Sequence, residues 1–342
     1  MKFNTHIRRS RLTALAGVTV AAAGLAVMAA GTASAGTLPG LANVNYSALK
    51  GKTIGIIELA PIEPVFRIDK MLISCVKKYG GKTIVAATGG DPAKAAAAAD
   101  SFNQQGVAGI YNNANSAPAL KKQIADANKA KRPFITAWSD QAPGTITIRG
   151  LEHQSTARVA QYMIDRLHGQ GKILILAADV NQALRQRHAG LLAQLKEFPG
   201  IKVVQDYKVD VANAVADAQK ATETALQANP DIDAVYGVFD GPSIGAAKAV
   251  DAAKSKAFVV GFNGDAEALD MMRNPKSSFA ATAANDLEGT GLIACAIFAK
   301  MFAGGNAPAD TIYQDSPLVT KVTVPKTGFA KSPGAFVLYD GS

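Results

Sequence analysis

Two arginines two residues apart, Arg185 and Arg187, open a stretch of helical pattern. A guanidinium is a rigid fork of donors suited to hydroxyls and carboxylates. Trp138, the only tryptophan, ends a short β-rich run, where it either lines a pocket or fills a core. His153 follows soon after, as a ligand contact or as a surface or capping group. These are groups for recognition. Groups for reaction do not assemble around them. Gly241-Pro242-Ser243-Ile244-Gly245 approaches a nucleophile elbow, but its first spacer is proline; Gly89-Gly90 alone is not a phosphate loop. There is no CxxC, no His/Cys cluster and no HExxH, so neither a metal nor a cofactor is expected. An enzyme is not expected. Cys75 and Cys295 lie far apart as either a disulfide or two buried thiols.

The elements that must position these groups alternate. Thr53–Leu59 is an apolar strand run, followed by a helical stripe at Ile68, Met71/Leu72, Cys75/Val76 and Tyr79 that Gly80-Gly81 stops. Strands over 83–87, 107–111 and 133–137 alternate with helices over 92–104 and 118–130, with Asp91-Pro92 as a helix start. After a turn-rich loop, 139–144, a second set follows. It has helices over 154–167, 182–197, 214–229, 242–253 and 266–273, and strands over 172–177, 202–207, 234–238, 258–262 and 278–283. Alternation of this kind predicts an α/β fold of two doubly wound, flavodoxin-like parallel sheets, whose binding sites lie at the carboxyl ends of the strands. Glu58, inside the first strand, must face a cleft or find a partner.

The N-terminus reads as an export signal. Arg8, Arg9 and Arg11 precede an apolar run from Ala14 to Ala30 and the small-x-small segment Ala33-Ser34-Ala35, so cleavage before Gly36 is expected. The run is about 17 residues, short of the roughly 20 that a spanning helix needs. Arg8-Arg9-Ser10-Arg11-Leu12 leaves the twin-arginine and general routes both open. The whole chain carries 36 Lys+Arg against 27 Asp+Glu; residues 1–35 hold four of the basic ones and no acidic one, leaving 32 against 27. No basic cluster of the kind nucleic acid requires is present.

Four segments in order carry a resemblance: Gly89-Gly90-Asp91-Pro92-Ala93-Lys94, Arg185-Gln186-Arg187, Ala228-Asn229-Pro230-Asp231-Ile232-Asp233-Ala234-Val235 and Val260-Gly261-Phe262-Asn263-Gly264. Over residues 53–325 the chain resembles the ribose-binding-protein type of periplasmic binding protein, the substrate-binding subunit of sugar ABC importers. The resemblance implies two lobes joined by a three-strand hinge that close over a ligand. It implies a linker at 36–50, a first lobe at 51–149 completed by 286–320, a second lobe at 150–285, and a hinge return and tail at 321–342. It places Phe66 after the first strand, as a stacking group or a first-turn packing residue. It puts Arg185 on the family's second-lobe arginine, Asn263 on the aspartate of its "FDG" segment and Asn285 on its hinge-side glutamine. Asn213 falls near a family aromatic, and Phe239 with Asp240 where the family has Asn-Asp. The chain departs from many sugar binders where Trp138 and Ser139 replace a sugar-gripping Asp-Arg pair, and where Glu152 and His153 replace Asp-Asn. Both cysteines fall in the first lobe. The implied role is capture of a sugar, polyol or nucleoside-like molecule in the periplasm or outside the cell, by a monomer that delivers it to an ABC permease. Presentation to a membrane receptor is the alternative.

Overall fold

The computed structural model describes residues 38 and 40–330 and the backbone of Ala335–Phe336; the expected export signal lies outside them. The first sheet is built from β1 (Thr53–Glu58), β2 (Lys82–Ala87), β3 (Gly109–Asn113), β4 (Phe134–Ala137) and β5 (Ile146–Gly150). Helices α1 (Glu63–Lys78), α2 (Pro92–Gln105) and α3 (Lys121–Lys129) connect the first four of these. The second sheet follows, with β6 (Gly171–Ala177), β7 (Ile201–Lys208), β8 (Ala234–Gly237), β9 (Phe258–Asn263) and β10 (Phe279–Ala284). Its helices are α4 (Glu152–Arg166), α5 (Gln182–Leu195), α6 (Ala214–Ala228), α7 (Asp240–Ala252) and α8 (Ala266–Arg273). Then come α9 (Leu287–Phe302), β11 (Thr311–Gln314), β12 (Leu318–Thr320) and β13 (Ala335–Phe336).

Both sheets use one plan. The first runs β13-β11-β5-β4-β3-β1-β2 and the second β12-β10-β9-β8-β6-β7. Stripped of the additions at one edge, each is the flavodoxin-like order 2-1-3-4-5, with its switch point beside the first strand of the lobe. The chain passes between the sheets at 150–152, 284–287 and 314–318, giving the expected hinge of three segments. The expected completion of the first lobe over 286–320 ends at Gln314, because β12 runs antiparallel to β10 in the second sheet. The tail then returns as β13, antiparallel to β11 in the first sheet. The alternation of runs predicts no strand at β5, whose Ile-Thr-Ile-Arg-Gly run is short and follows a turn-rich loop.

Helices α1 and α9 pack on one face of the first sheet, burying Ile68, Leu72, Val76, Ile293 and Ile297; α2 and α3 cover the other face. The close approach of α1 to α9 requires Gly291, where an added Cβ would lie 2.3 Å from the Ile68 carbonyl oxygen. Across this contact Cys75 and Cys295 are bonded, with Cα atoms 6.3 Å apart and 220 residues of separation.

Candidate functional site

The switch points of the two sheets face each other. From the first lobe come Leu59 after β1, Ile62, Pro64, Val65 and Ile68 at the start of α1, Asn113 and Ala114 at the end of β3, Trp138 after β4, and Leu287. From the second come Asn181, Ala183, Leu184 and Arg187 around the start of α5, with Val211, Phe239 and Asn263. Together they enclose about 50 Å³, room for a few waters at about 10–15 Å³ each.

At the floor lies Arg187, 2% exposed. Its Nε donates to Glu152 Oε2 at 2.5 Å, and its Nη1 donates to the Val238 carbonyl at 3.1 Å and to Asn263 Oδ1 at 3.2 Å. Asn285 Nδ2 donates to the same Asn263 Oδ1 at 2.9 Å, and Ser316 Oγ donates to Asn285 Oδ1 at 2.6 Å. This chain of bonds runs from the cleft into two of the hinge segments. Glu152 compensates the buried charge, without which the guanidinium would carry a large desolvation cost. Trp138 sits at φ 50°, its ring 6.0 Å from the Arg187 Cζ, while its Nε1 donates to Thr290 Oγ1 at 3.3 Å. A Cβ at Gly150 would lie 2.6 Å from the indole, so glycine is required there.

Asn113 carries the polar function of the first lobe. Its Nδ2 donates to Asp69 Oδ1 at 2.9 Å and to the Val65 carbonyl at 3.1 Å, while its Oδ1 is buried without a partner. Burial pushes Asp69 up to about 7, against the lowering effect of the Asn113 hydrogen bond. Burial also raises Glu58, which lies half-buried at the carboxyl end of β1. In the second lobe Asp240 accepts from the Asp265 backbone N–H and from Thr282 Oγ1, both at 2.8 Å. Burial raises both carboxyls of this pair, and for Asp265 the charge of Asp240 adds to the effect.

Bonds between the lobes ring the cavity. Asn181 Nδ2 donates to the Ala114 carbonyl at 3.0 Å, and Arg149 donates to Gln182 and Gln186 Oε1 at 2.8 and 2.7 Å. On the other side Glu63 Oε1 accepts from the Ala266 N–H at 2.6 Å, and Arg67 Nη1 donates to the Gly264 carbonyl at 3.2 Å.

Of the residues singled out from sequence, Trp138, Phe239 and Asn263 line the cavity, and Asn285 backs it. The others stand elsewhere. Phe66 is 58% exposed because it lies off the buried stripe Val65, Ile68, Leu72 and Val76 of α1. Arg185, on the side of α5 away from Leu184, Arg187, Leu191 and Leu195, pairs with Asp140 across the lobes and donates to the Asp179 carbonyl at 3.0 Å. His153 is exposed beside the buried Glu152. Ser139 is spent within the first lobe, donating to the Asn115 carbonyl and accepting from Ala117 N–H at 3.0 Å. Asn213 is exposed and donates to Asp210 Oδ2 at 2.8 Å. The sequence does not single out Asn113, Asn181 or Asp69, and Glu152 figures there only as a departure from the family's Asp-Asn. Of the two arginines that open α5, Arg187 and not Arg185 lines the cavity.

Among the described residues no cluster of three His, Cys, Asp or Glu side chains is arranged to hold a metal ion, and no helix is long and apolar enough to cross a membrane.

Comparison with known proteins agrees with this architecture. The ribose import binding protein RbsB of Bacillus subtilis (strain 168) is 26% identical over 250 residues, covering 71% of this chain and 79% of that protein. A solute-binding protein of an ABC transporter from Agrobacterium vitis, solved with bound allitol, superposes with a TM-score of 0.74 at 23% identity, over 81% of this chain and 97% of that one. A 5-methylthioribose transporter solute-binding protein from Thermotoga lettingae TMO, in complex with 5-methylthioribose, gives a TM-score of 0.74 at 20% identity, over 79% of this chain and 86% of that one. Residues 63–306, most of both lobes, match the model of the periplasmic binding protein domain. Two switch points facing each other across a hinged cleft, and a family model spanning it, establish that the chain belongs to the periplasmic binding protein domain family.

Proposed function

We propose that this protein captures a small sugar-like solute outside the cytoplasm by closing its two lobes, and as a monomer delivers it to the membrane permease of an ABC importer. The observation that carries the reading is Arg187, a fully buried guanidinium at the floor of the cleft, held in place by Glu152 and Asn263 and facing Trp138 of the other lobe. A fork of donors so fixed suits a hydroxyl-bearing ligand. The names of the relatives, a ribose import binding protein and solute-binding proteins with allitol and 5-methylthioribose bound, support a sugar or polyol.

The mechanism needs no bond to be broken. A ligand seated on Arg187 and Asn263 presents its other side to the first lobe, so the closed state gains contacts that the open state lacks, and closure follows from that difference. The Asn181, Arg149, Glu63 and Arg67 bonds between the lobes then secure the closed form. The lining side chains hold one charged group, already compensated, and three amides, a set suited to holding a ligand unchanged. Native mass spectrometry of the purified protein, with release and identification of what it carries, tests the reading. A sugar or polyol is the expected outcome. A thermal-shift series should show stabilisation of about 2.7 kcal/mol at a hundred times the dissociation constant. Failure of every sugar and polyol to shift the transition would sink it.

A further inference from the structure

The two walls of the cleft differ in chemistry. The first lobe contributes Leu59, Ile62, Val65, Ile68, Trp138 and Leu287. Trp138 Nε1 is committed to Thr290, and the only polar side chain on this wall, Asn113, has spent its donor on Val65 and Asp69. One acceptor, Asn113 Oδ1, is left. The second lobe contributes the hydrogen-bonding groups Arg187 and Asn263; Asn181 beside them accepts from the Leu184 N–H at 3.1 Å and donates to the Ala114 carbonyl at 3.0 Å. No Asp or Glu lines the cavity, and the Arg187 charge is matched by Glu152.

We infer that this cleft, if it holds sugar-like ligands as proposed above, selects neutral and amphipathic ones. One edge of such a ligand carries hydroxyls for the second lobe. The other carries a deoxygenated or alkyl-bearing carbon against the first. A fully hydroxylated sugar would press hydroxyls against Leu59, Val65 and Ile68, where a group stripped of water finds no partner, and that desolvation opposes closure. An apolar group in the same place gains from burial. A charged ligand fares worse. A cation meets no carboxylate on the lining, and an anion adds to a guanidinium whose charge Glu152 already balances.

Titration calorimetry on the purified, disulfide-bonded protein tests this with matched pairs: D-ribose and 5-deoxy-D-ribose, D-galactose and 6-deoxy-D-galactose, myo-inositol and its mono-O-methyl ether. Among pairs that bind, the less polar member should bind about tenfold more tightly, and D-ribose 5-phosphate should not bind. Val65→Thr, which keeps the shape and adds a hydroxyl to the first wall, should shrink that ratio severalfold. Equal or tighter binding of the parent sugars, or a ratio unmoved by Val65→Thr, overturns the inference and leaves the sugar-binding reading intact. Absence of binding by all six overturns both.

Discussion

The two lobes share a strand order but differ in how they are held. The first is pinned covalently: the disulfide ties α1 to α9 over an apolar face of Leu72, Val76, Ile293 and Ile297. The second has no cross-link of its own. Its interior holds Arg187 on Glu152 and the Asp240–Asp265 pair, whose carboxyls burial pushes up. The contrast separates two tasks. A cross-link and apolar packing give the first lobe a fixed frame. Buried polar groups are expensive unless every partner is in place, so the second lobe commits its interior to a single arrangement that presents donors to the cleft.

Removing the cross-link should have the largest effect. By the chain-entropy argument a loop of this length is worth about 5 kcal/mol, so Cys75→Ser with Cys295→Ser should lower the urea midpoint severely. Hydrogen exchange should quicken first in α1 and α9; earlier loosening of β8 and β9 would break the comparison. Next comes Arg187→Met, which strands Glu152 in the interior at a cost of about 3–5 kcal/mol and should weaken ligand binding at least about a hundredfold. Glu152→Gln added to it should restore stability but not affinity. If affinity returned as well, Arg187 would be a structural group only.

A pH effect of intermediate size belongs to Asp69. Its carboxyl, pushed up to about 7, keeps its proton in the fold while the unfolded chain has already released it. Stability therefore falls as pH rises from about 4 to about 7, by up to a few kcal/mol, and levels off above that. Asp69→Asn imitates the protonated form and should flatten that part of the curve in denaturation series at several pH values; an unchanged slope would assign the titration to the second lobe's aspartates. The smallest effect is expected of Arg185→Ala. Its pair with Asp140 sits at a part-exposed rim, where such pairs contribute about 0–1 kcal/mol, so affinity measured by calorimetry should move by no more than severalfold. A loss matching that of Arg187→Met would return the site to Arg185.

Much of the architecture was legible because it repeats. Alternating apolar runs and helical stripes gave both sheets, and four matching segments gave the hinge-linked plan. The site was less legible, and the misses share one cause. At three helix starts the side chain facing inward lies one or two residues from the one singled out: Val65 rather than Phe66, Glu152 rather than His153, Arg187 rather than Arg185. In each case the buried neighbour sits on the three-and-four spacing of its helix, with Ile68 and Leu72, with Ser155 and Val159, and with Leu184 and Leu191. Position in the resemblance favoured Phe66 and Arg185, and the imidazole favoured His153, while helical phase decides which side chain turns inward. Asn113 escaped for another reason. Strand β3 ends in two asparagines, and polar residues at the end of an apolar run read as the start of a loop.

The stretch between Cys75 and Cys295 contains all of the second lobe except its edge strand β12, so the S–S bond closes most of that lobe and part of the first into one covalent ring. A protease that cuts a single peptide bond anywhere within the ring opens it without separating the molecule. The two pieces run as one species on a non-reducing gel and part only when a thiol is added. Backbone scission within the ring is thus converted from loss of a lobe into a nick that packing can tolerate.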